Sequence, residues 1–459
     1  MAIQSTRIRA LKDAPEGRDA RYVLYWMQSS QRAEFNPALE YAIEEANHRG
    51  LPVLVGFGLT EAYPEASARH YAFMLQGLAD VAKALAARGV GFVIRKGEPD
   101  KVALDLSRQA ALVVCDAGYL RLQRQWRRDL AEAMDRRLVR IEGDVVVPIL
   151  QVSNKAEYAA RTIRPKIHKL WQDYLAPLRR REVRHRMAHA PAWEIDLSDV
   201  PRAVAALDID HGVAPVRRFR GGEVEARHRL QAFVNGGLAR YGDERGKPET
   251  EAVSYLSPYL HYGQISPVEI ALAVRDAEGA DSETKRVYLE ELIVRRELAI
   301  NHAWWAPADY DSYDRLPEWA RLTLDAHEAD PRPHHYAEAQ LEAGETHDLY
   351  WNAAQREMVA TGYMHNRLRM YWGKKILQWS ASPRVAFDTI LRLNNRYLLD
   401  GRDANSYTNV GWIFGLHDRP WPPQPVYGTV RSMGPNTFKS FDAEAYVDQV
   451  DRLVAAEQV

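Results

Sequence analysis

Between residues 21 and 150, short apolar runs alternate with longer amphipathic stretches, an order that few folds accept. The apolar runs predict strands at RYVLYWM (21–27), LPVLVGFGL (51–59), GVGFVIRKG (89–97), ALVVCDAG (111–118) and LVRIEGDVVVP (138–148). The stretches between them predict helices at 37–50, 68–89 and 99–109, the first two of which end at a glycine. Because the strands are apolar along their length, we expect helices on both faces of a doubly wound parallel sheet.

The second half of the chain has a different pattern. From about residue 215 onward, apolar side chains recur with helical spacing, as in TKRVYLEELIVRRELAINHAWW and SPRVAFDTILRLNNRYLLDG. Residues 179–186 are strongly basic, and 192–212 have the composition of a linker. We therefore expect an α/β domain at 1–180, a basic interdomain linker at 181–214 and an all-α domain at 215–459.

Composition excludes several classes of protein. The net charge of −1 gives no overall basic field, so any binding of nucleic acid has to be local. The single cysteine, Cys115, excludes an internal disulfide and a cysteine-rich metal site, and we expect no metal. No apolar run approaches the ~20 residues of a membrane span. No GxGxxG or GxxxxGK[ST] motif follows the first strand, which argues against an ordinary dinucleotide or P-loop site there.

The helix predicted in TGYMHNRLRMYWGKKILQW (361–379) carries both tryptophans and cations. Trp372 and Trp379 are seven residues apart, so they share one face and lie about 10 Å apart along the axis. Trp351 would join that face only if the helix continued unbroken through Thr361 and Gly362. Core packing is one explanation of these rings. The other is a relay of aromatic side chains that passes one electron.

Three further segments place polar groups beside apolar helices. DGRDANSYTNVGW (400–412) is consistent with a helix cap or with a binding site for a buried polar ligand. TEAVSYLSPYLHYGQISP (250–267) has serine hydroxyls at a helix start, which is a weak signal for an anion site. In EELIVRRELAINHAWW (290–305), Glu291 and Arg295 have the spacing of an exposed ion pair.

Several of these segments resemble one known family. SYLSPYLHYGQISP, EELIVRREL, GYMHNRLRM and DGRDANSYTNVGW, in this order, resemble the flavin domain of the photolyase/cryptochrome family. YAARTIRPKIHKL, YWNAAQREMVATGYMHNRLRMYWGKKILQW and GLHDRPW are similar, more narrowly, to class II cyclobutane pyrimidine dimer (CPD) photolyases. The likeness runs from about residue 21 to 435. It implies an α/β N-terminal antenna domain and an all-α C-terminal domain that binds FAD.

The resemblance also implies an activity, that of a deoxyribodipyrimidine photo-lyase driven by blue or near-UV light. Reduced FAD (FADH⁻) would pass an electron to a pyrimidine dimer flipped out of damaged DNA. A second, antenna chromophore is implied as well, either 8-hydroxy-5-deazaflavin or folate, and the sequence leaves its identity and its presence open. We expect a cytoplasmic, prokaryotic, monomeric protein with no membrane partner.

By position, the resemblance implies roles for individual side chains. Glu297 and Met370 match residues that contact the lesion, and Asn405 matches the residue beside flavin N5. Trp351, Trp372 and Trp379 match the electron-transfer tryptophans, in an order that the sequence does not fix. The matches to FAD-binding residues are Tyr241, Ser254, Leu256, Ser257, Arg296, Asp400, Asp403 and Asn405. The candidate DNA contacts are Trp421, Trp305, Arg431 and the basic run 179–186.

Alternative functions differ in what the purified protein would do. A cryptochrome-like photoreceptor would share the fold, the FAD and the tryptophans but would repair nothing. A (6-4) photolyase would require a catalytic histidine pair, and His261 and His302 occur in segments that resemble class II proteins instead. A light-independent nucleotide-binding scaffold would be colourless.

Overall fold

The computed structural model describes residues 3–15 and 19–458, with the side chain of Pro435 excepted. Its strands are β1 (Ile8–Lys12), β2 (Tyr22–Trp26), β3 (Val53–Leu59), β4 (Gly91–Lys96), β5 (Ala110–Asp116) and β6 (Leu138–Ile141). They form a single sheet in the order β1-β6-β5-β2-β3-β4. All neighbouring pairs are parallel except β1 and β6, which are antiparallel. The α/β class expected from the apolar runs is confirmed.

The helices of the N-terminal part are α1 (Pro37–Arg49), α2 (Ala68–Arg88), α3 (Pro99–Ser107), α4 (Arg121–Ala133), α5 (Ile149–Val152), α6 (Ala160–Tyr174) and α7 (Val200–Ala205). Those of the C-terminal part are α8 (Glu223–Ala232), α9 (Leu238–Glu244), α10 (Ser257–His261), α11 (Pro267–Asp276), α12 (Ser282–Leu289), α13 (Arg296–Trp305), α14 (Glu318–Ala326), α15 (Glu338–Ala343), α16 (Leu349–Thr361), α17 (Asn366–Trp379), α18 (Pro383–Tyr397), α19 (Ala404–Ile413) and α20 (Ala443–Gln458). Two π-helical segments, Phe233–Gly237 and Glu290–Arg295, join α8 to α9 and α12 to α13. Four short 3₁₀ segments lie at Ser5–Arg7, Pro248–Thr250, Tyr313–Arg315 and Pro435–Ser440.

Local chemistry accounts for the helix ends in the α/β part. The side chain of Asn36 accepts hydrogen bonds from the backbone N–H groups of Ala38 and Leu39 and so caps α1. The first two helices end at Gly50 and Gly89, with φ of 69° and 78°. Only glycine adopts that left-handed conformation at little cost, so the predicted glycine ends are confirmed.

The structure corrects three details of the sheet domain. Strand β1 was not predicted, because IRALK is a half-exposed edge strand with charged residues, and its pairing makes the sheet mixed at that edge. Strand β6 stops at Ile141, where the prediction continued to 148, because the chain turns away there and the backbone oxygen of Glu142 accepts from the Arg7 guanidinium at 3.0 Å. Helix α4 was also missed among the predicted elements.

The α/β and helical parts share packing. Ile163, Ile167 and Tyr174 belong to the hydrophobic core of the helical part. The predicted linker is not free chain, since Ile195, Leu197 and Val204 are buried against the sheet domain. The boundaries at 180 and 214 stay predictions.

No helix in the described part of the chain combines the length and the apolar character needed to cross a bilayer.

Candidate active site

A bidentate ion pair stands where α17 begins and α18 ends. Arg369 donates from Nη1 and Nη2 to the two carboxylate oxygens of Asp400, at 2.9 and 3.0 Å, and from Nε to the Met364 backbone oxygen at 2.8 Å. Both side chains are largely buried. A guanidinium that binds a carboxylate through two parallel bonds is fixed in orientation as well as in charge.

The polar loop after Asp400 is held by Asp403, which caps α19. Its Oδ1 accepts from the backbone N–H and from the side-chain amide of Asn405, both at 2.9 Å. Its Oδ2 lies 3.3 Å from Nδ1 of His261, at the end of α10. Burial alone would raise the pKa of Asp403, but the hydrogen bond and charge of His261 lower it to about 2. Asp403 is therefore ionised and orients the Asn405 amide.

The predicted FAD-binding residues from α9 and α10 form one wall. The rings of Tyr241 and Tyr288 are 5.1 Å apart, and the Tyr288 hydroxyl lies 3.1 Å from the Ser254 hydroxyl. Leu256 is buried in the same core, directly before Ser257 begins α10. The contact between His261 and Asp403 joins this wall to the loop at 400–405. The structure thus brings the end of α10 and the loop 400–405 together.

The tryptophans meet through tertiary packing rather than along one helix. Helix α16 ends at Thr361 and Gly362 (φ 71°), so the unbroken helix that would align Trp351 does not exist. Instead α17 folds back, and Trp351 donates from Nε1 to the backbone oxygen of Trp372 at 3.0 Å. The Trp351 and Trp379 ring centroids are 5.4 Å apart. All three side chains are buried.

The cations of α17 have protein partners. Lys374 is buried and its Nζ donates to the backbone oxygen of Ile413, and burial lowers the pKa of Lys374 to about 7. Arg367 donates to the Thr437 backbone oxygen at 3.0 Å. Hydrogen bonds to backbone oxygens therefore offset the cost of burying the cations of this helix.

Glu297 and Arg296 contact the segment after β6. Its Oε1 accepts from the backbone N–H groups of Val146 and Val147 at 2.6 and 3.2 Å, and the side chain is buried. The neighbouring Arg296 likewise donates to the Asp144 backbone oxygen at 2.6 Å. Both side chains contact the segment after β6, while the second carboxyl oxygen of Glu297, Oε2, is buried without a hydrogen-bond partner among the described residues. The lesion contact of Glu297 and the flavin contact of Arg296 stay predictions.

The burial of Glu297 predicts a pH-dependent stability. Burial raises its pKa to about 8, against opposing hydrogen bonds from Val146 and Val147, whereas an unfolded glutamate titrates near about 4.3. The folded protein then holds an extra proton between those values, so stability should fall as pH rises, by at most about 1.4 kcal/mol per pH unit. We expect Glu297→Gln to flatten the dependence of the thermal midpoint on pH over this range. An equally steep dependence in the variant would contradict the assignment.

Glu291, four residues after Val287 on the preceding helix, occupies the π-helical segment. Its partner is Arg245, at 3.4 Å, whereas Arg295 lies 3.7 Å from Glu290, so the predicted pair of Glu291 with Arg295 is wrong. The Glu291 side chain is 43% exposed, and its charge acts on the hydroxyl of Tyr241, whose pKa burial raises to about 12. Single π turns are frequent at functional sites. Glu291 is therefore an accessible carboxylate beside the wall that contains Tyr241.

Trp421 and Arg431 lie together on a loop after α19. The Arg431 guanidinium is 4.9 Å from the Trp421 ring centroid, and the Trp421 backbone N–H donates to the Thr429 oxygen at 2.8 Å. Tyr158 reaches the same loop from the α/β part, since its hydroxyl donates to the Asp418 backbone oxygen at 3.0 Å, and it is 46% exposed. Sequence reasoning missed Tyr158, because its only signal is an isolated aromatic residue in a basic segment.

The remaining predicted contacts are more enclosed. Trp305 packs at the end of α13 with a cluster that includes Tyr407, and Met370 is buried in the core of the helical part. The basic run 179–186 lies against the α/β part, where Arg181 pairs with Glu44 at 2.6 Å.

A cavity of about 90 Å³ opens at the carboxyl ends of β2 and β3, where open α/β sheets bind ligands. Its walls combine aromatic and apolar side chains with amides and a guanidinium. They include Gln28, Gln31, Phe57, Leu59, Tyr63, Tyr71, Met74, Gln123, Trp126, Tyr262 and Arg402. The side-chain oxygen of Gln31 and the hydroxyl of Tyr262 are buried without a partner among the described residues. The cavity thus fits a flat aromatic ligand with polar edges.

Known proteins resemble both halves of the chain. The DNA photolyase family model matches residues 23–183. A deoxyribodipyrimidine photo-lyase of Methanothermobacter thermautotrophicus is 42% identical over 98% of this chain and 99% of its own length. The protein of that name from Arabidopsis thaliana is 36% identical over 99% of this chain and 94% of its own length.

Solved structures have the same fold at low identity. A class III photolyase from Agrobacterium tumefaciens has a TM-score of 0.72 at 19% identity, covering 96% of this chain and 88% of its own. A Synechocystis cryptochrome has a TM-score of 0.71 at 17% identity, covering 98% and 94%. The fold alone does not separate photolyases from cryptochromes, whereas the near-full-length identity of 42% establishes kinship. The chain belongs to the photolyase/cryptochrome family.

Proposed function

We propose that this protein is a light-driven lyase that splits cyclobutane pyrimidine dimers in DNA. The observation that carries the proposal is 42% identity to a deoxyribodipyrimidine photo-lyase across 98% of the chain, which includes every segment of the site. The experiment is an absorbance spectrum of the purified protein, followed by dimer loss from irradiated DNA in blue light and in darkness. Flavin absorbance with light-dependent repair supports the proposal. Flavin absorbance without repair would favour a cryptochrome-like photoreceptor.

The residues of the site fit FAD. His365, the N-cap of α17, is buried with its Nε2 unpartnered among the described residues, beside the fixed guanidinium of Arg369. Tyr241 and Ser254 offer one wall, and Asn405 offers an amide oriented by Asp403. When bound in its reduced form, FAD supplies the electron on absorbing light. Arg369 and Asp400 would hold the cofactor, and Asp403 would keep Asn405 pointed at it.

Glu291 is our candidate for the carboxylate that binds the lesion. It is accessible and it neighbours Tyr241, whereas Glu297 is buried and its Oε1 accepts from the backbone N–H groups of Val146 and Val147. A side chain at this place can hydrogen-bond a base that has left the DNA stack.

We expect Glu291→Ala to lower the number of dimers split per absorbed photon about tenfold, because a charge-assisted hydrogen bond is worth about 1.5–3 kcal/mol. FAD content should not change, since the side chain is exposed. The matched control is Glu297→Gln, which should keep its repair yield. A normal yield in Glu291→Ala, or a loss confined to Glu297→Gln, would overturn the assignment.

The order Trp372, Trp351, Trp379 is the relay we propose for reducing bound FAD with light. The bond between Trp351 Nε1 and the Trp372 backbone and the 5.4 Å between the Trp351 and Trp379 rings support this order. Each side chain is buried, so an oxidised ring is shielded from water.

The cavity at β2 and β3 is our candidate for an antenna chromophore. Its aromatic walls and amide edges suit a planar tricycle such as 8-hydroxy-5-deazaflavin better than the long tail of a folate. The class II assignment, the cytoplasmic location and the monomeric state rest on the resemblance of the motifs.

The surface around Trp421, Arg431 and Tyr158 is the proposed DNA contact. An arginine stacked on a tryptophan presents charge to phosphate and a ring to a base. We expect Arg431→Ala to weaken DNA binding at every sequence and to reduce the slope of log affinity against log salt by about 1. Arg452, exposed on α20, is the control. An unchanged slope in Arg431→Ala would remove this residue from the interface.

A further inference from the structure

The tryptophan series stops short of solvent. Trp351 and Trp379 are buried, so an oxidised Trp379 has no direct route to a reductant outside the protein. Beyond Trp379, two rings from the chain between α14 and α16 continue the series. The Tyr336 ring centroid lies 5.3 Å from Trp379 and the His347 centroid 5.4 Å from it.

The hydroxyl of Tyr336 has a partner to which it can give its proton. Its hydroxyl lies 2.6 Å from Nδ1 of His347. The backbone N–H of His347 donates to the same hydroxyl oxygen at 3.0 Å. With His347 in the tautomer that carries its proton on Nε2, Nδ1 accepts and the phenolic proton is directed at the imidazole. The distance is within the reach required of a general base.

The surroundings suit both members of this pair. Burial lowers the pKa of His347, and the neighbouring His334 and Lys375 lower it further against the charge of Asp348, so the imidazole is neutral and can accept a proton. His347 is exposed and Tyr336 is half-buried, which opens this end of the series to solutes.

The charge of Lys375 favours movement of an electron toward Trp379. Its Nζ lies 5.8 Å from the Trp379 ring. A positive charge there destabilises an indole radical cation, so Trp379 is a stronger oxidant when oxidised.

We propose that Tyr336 and His347 form the outer end of the relay, an assignment that rests on the tryptophan order proposed above. Tyr336 gives one electron to the Trp379 radical cation, and the phenolic proton passes to Nδ1 of His347. The products are neutral Trp379, a neutral tyrosyl radical and an imidazolium. A soluble thiol then supplies the electron and proton that restore tyrosine and becomes a thiyl radical. Because the tyrosyl radical has lost its proton, it is a weaker oxidant than the Trp379 radical cation and does not take an electron back from Trp379, so the charge separation is prolonged. The imidazolium releases its proton to water once tyrosine is restored.

The test is transient absorption and electron paramagnetic resonance of the FAD-loaded protein after a light flash. In the wild type, the indole radical cation should decay as a tyrosyl radical appears. Tyr336→Phe should abolish the tyrosyl signal and lower the yield of long-lived charge separation several-fold. His347→Ala should slow formation of the tyrosyl radical, and imidazole in the buffer should restore it.

Tyr371→Phe is the control. Its hydroxyl donates to Asp348, yet within the described residues its ring contacts Phe438 rather than Trp379. A tyrosyl signal that survives in Tyr336→Phe, or disappears in Tyr371→Phe, overturns the proposal while the tryptophan relay stands. Absence of any indole radical in a protein that repairs dimers would overturn both the relay and this extension, and would leave the repair function intact.

Discussion

Trp351→Phe is expected to reduce the light-driven reduction of bound FAD by more than an order of magnitude. Trp351 is the ring that joins Trp372 to Trp379, through a 3.0 Å hydrogen bond on one side and a 5.4 Å ring contact on the other. Phenylalanine keeps a buried ring in place but is much harder to oxidise than an indole. The measurement is the rate at which oxidised flavin absorbance disappears under blue light with a thiol present.

Repair provides the internal control for this variant. If the flavin is first reduced chemically, Trp351→Phe should split dimers as the wild type does, because the relay serves only to reduce the cofactor. Trp319→Phe is the matched substitution, since Trp319 packs in the same core but has no ring contact with these three tryptophans within the described chain. Normal photoreduction in Trp351→Phe would mean that electrons travel by another route.

Breaking the pair of Arg369 and Asp400 should have the second large effect. Removing either partner leaves a largely buried charge alone, which costs about 3 kcal/mol of stability. Because both groups border the site, we also expect FAD to be lost at dilutions where the wild type retains it. Thermal unfolding and retained flavin absorbance measure the two effects.

The double variant tests whether Arg369 and Asp400 stabilise the protein as a pair. Arg369→Ala with Asp400→Ala should cost less than the sum of the single variants, since neither charge is then left unpaired. The pair of Arg384 and Asp314 is an exposed ion pair with a single hydrogen bond of 2.7 Å, and its removal should change neither property. Additive losses at Arg369 and Asp400 would show that the two side chains act independently.

The elements that could be predicted from sequence are those that periodicity marks. The buried strands and the glycine-terminated helices α1 and α2 have apolar runs and left-handed end residues, and both appear where expected. Strand β1 lacks such a run because it is a half-exposed edge strand, whose pairing depends on β6, more than a hundred residues away.

Helical spacing also fails to describe parts of the candidate site. The π-helical segment Glu290–Arg295 adds a residue to the turn, so side chains before and after it do not keep helical phase. The resemblance implies a role for Glu297, and the structure adds that Glu297 is buried against the segment after β6 while Glu291 is accessible. The three tryptophans lie together, but their contact arises from the turn at Gly362, which helical spacing does not describe.

The most direct measurement is the number of cyclobutane dimers in a short DNA duplex after incubation with the protein whose FAD has been fully reduced. We predict that dimers disappear under blue light, that none disappear in darkness, and that intact pyrimidines are the product. Dimers that persist under illumination, with reduced FAD bound and DNA saturated, would contradict the account.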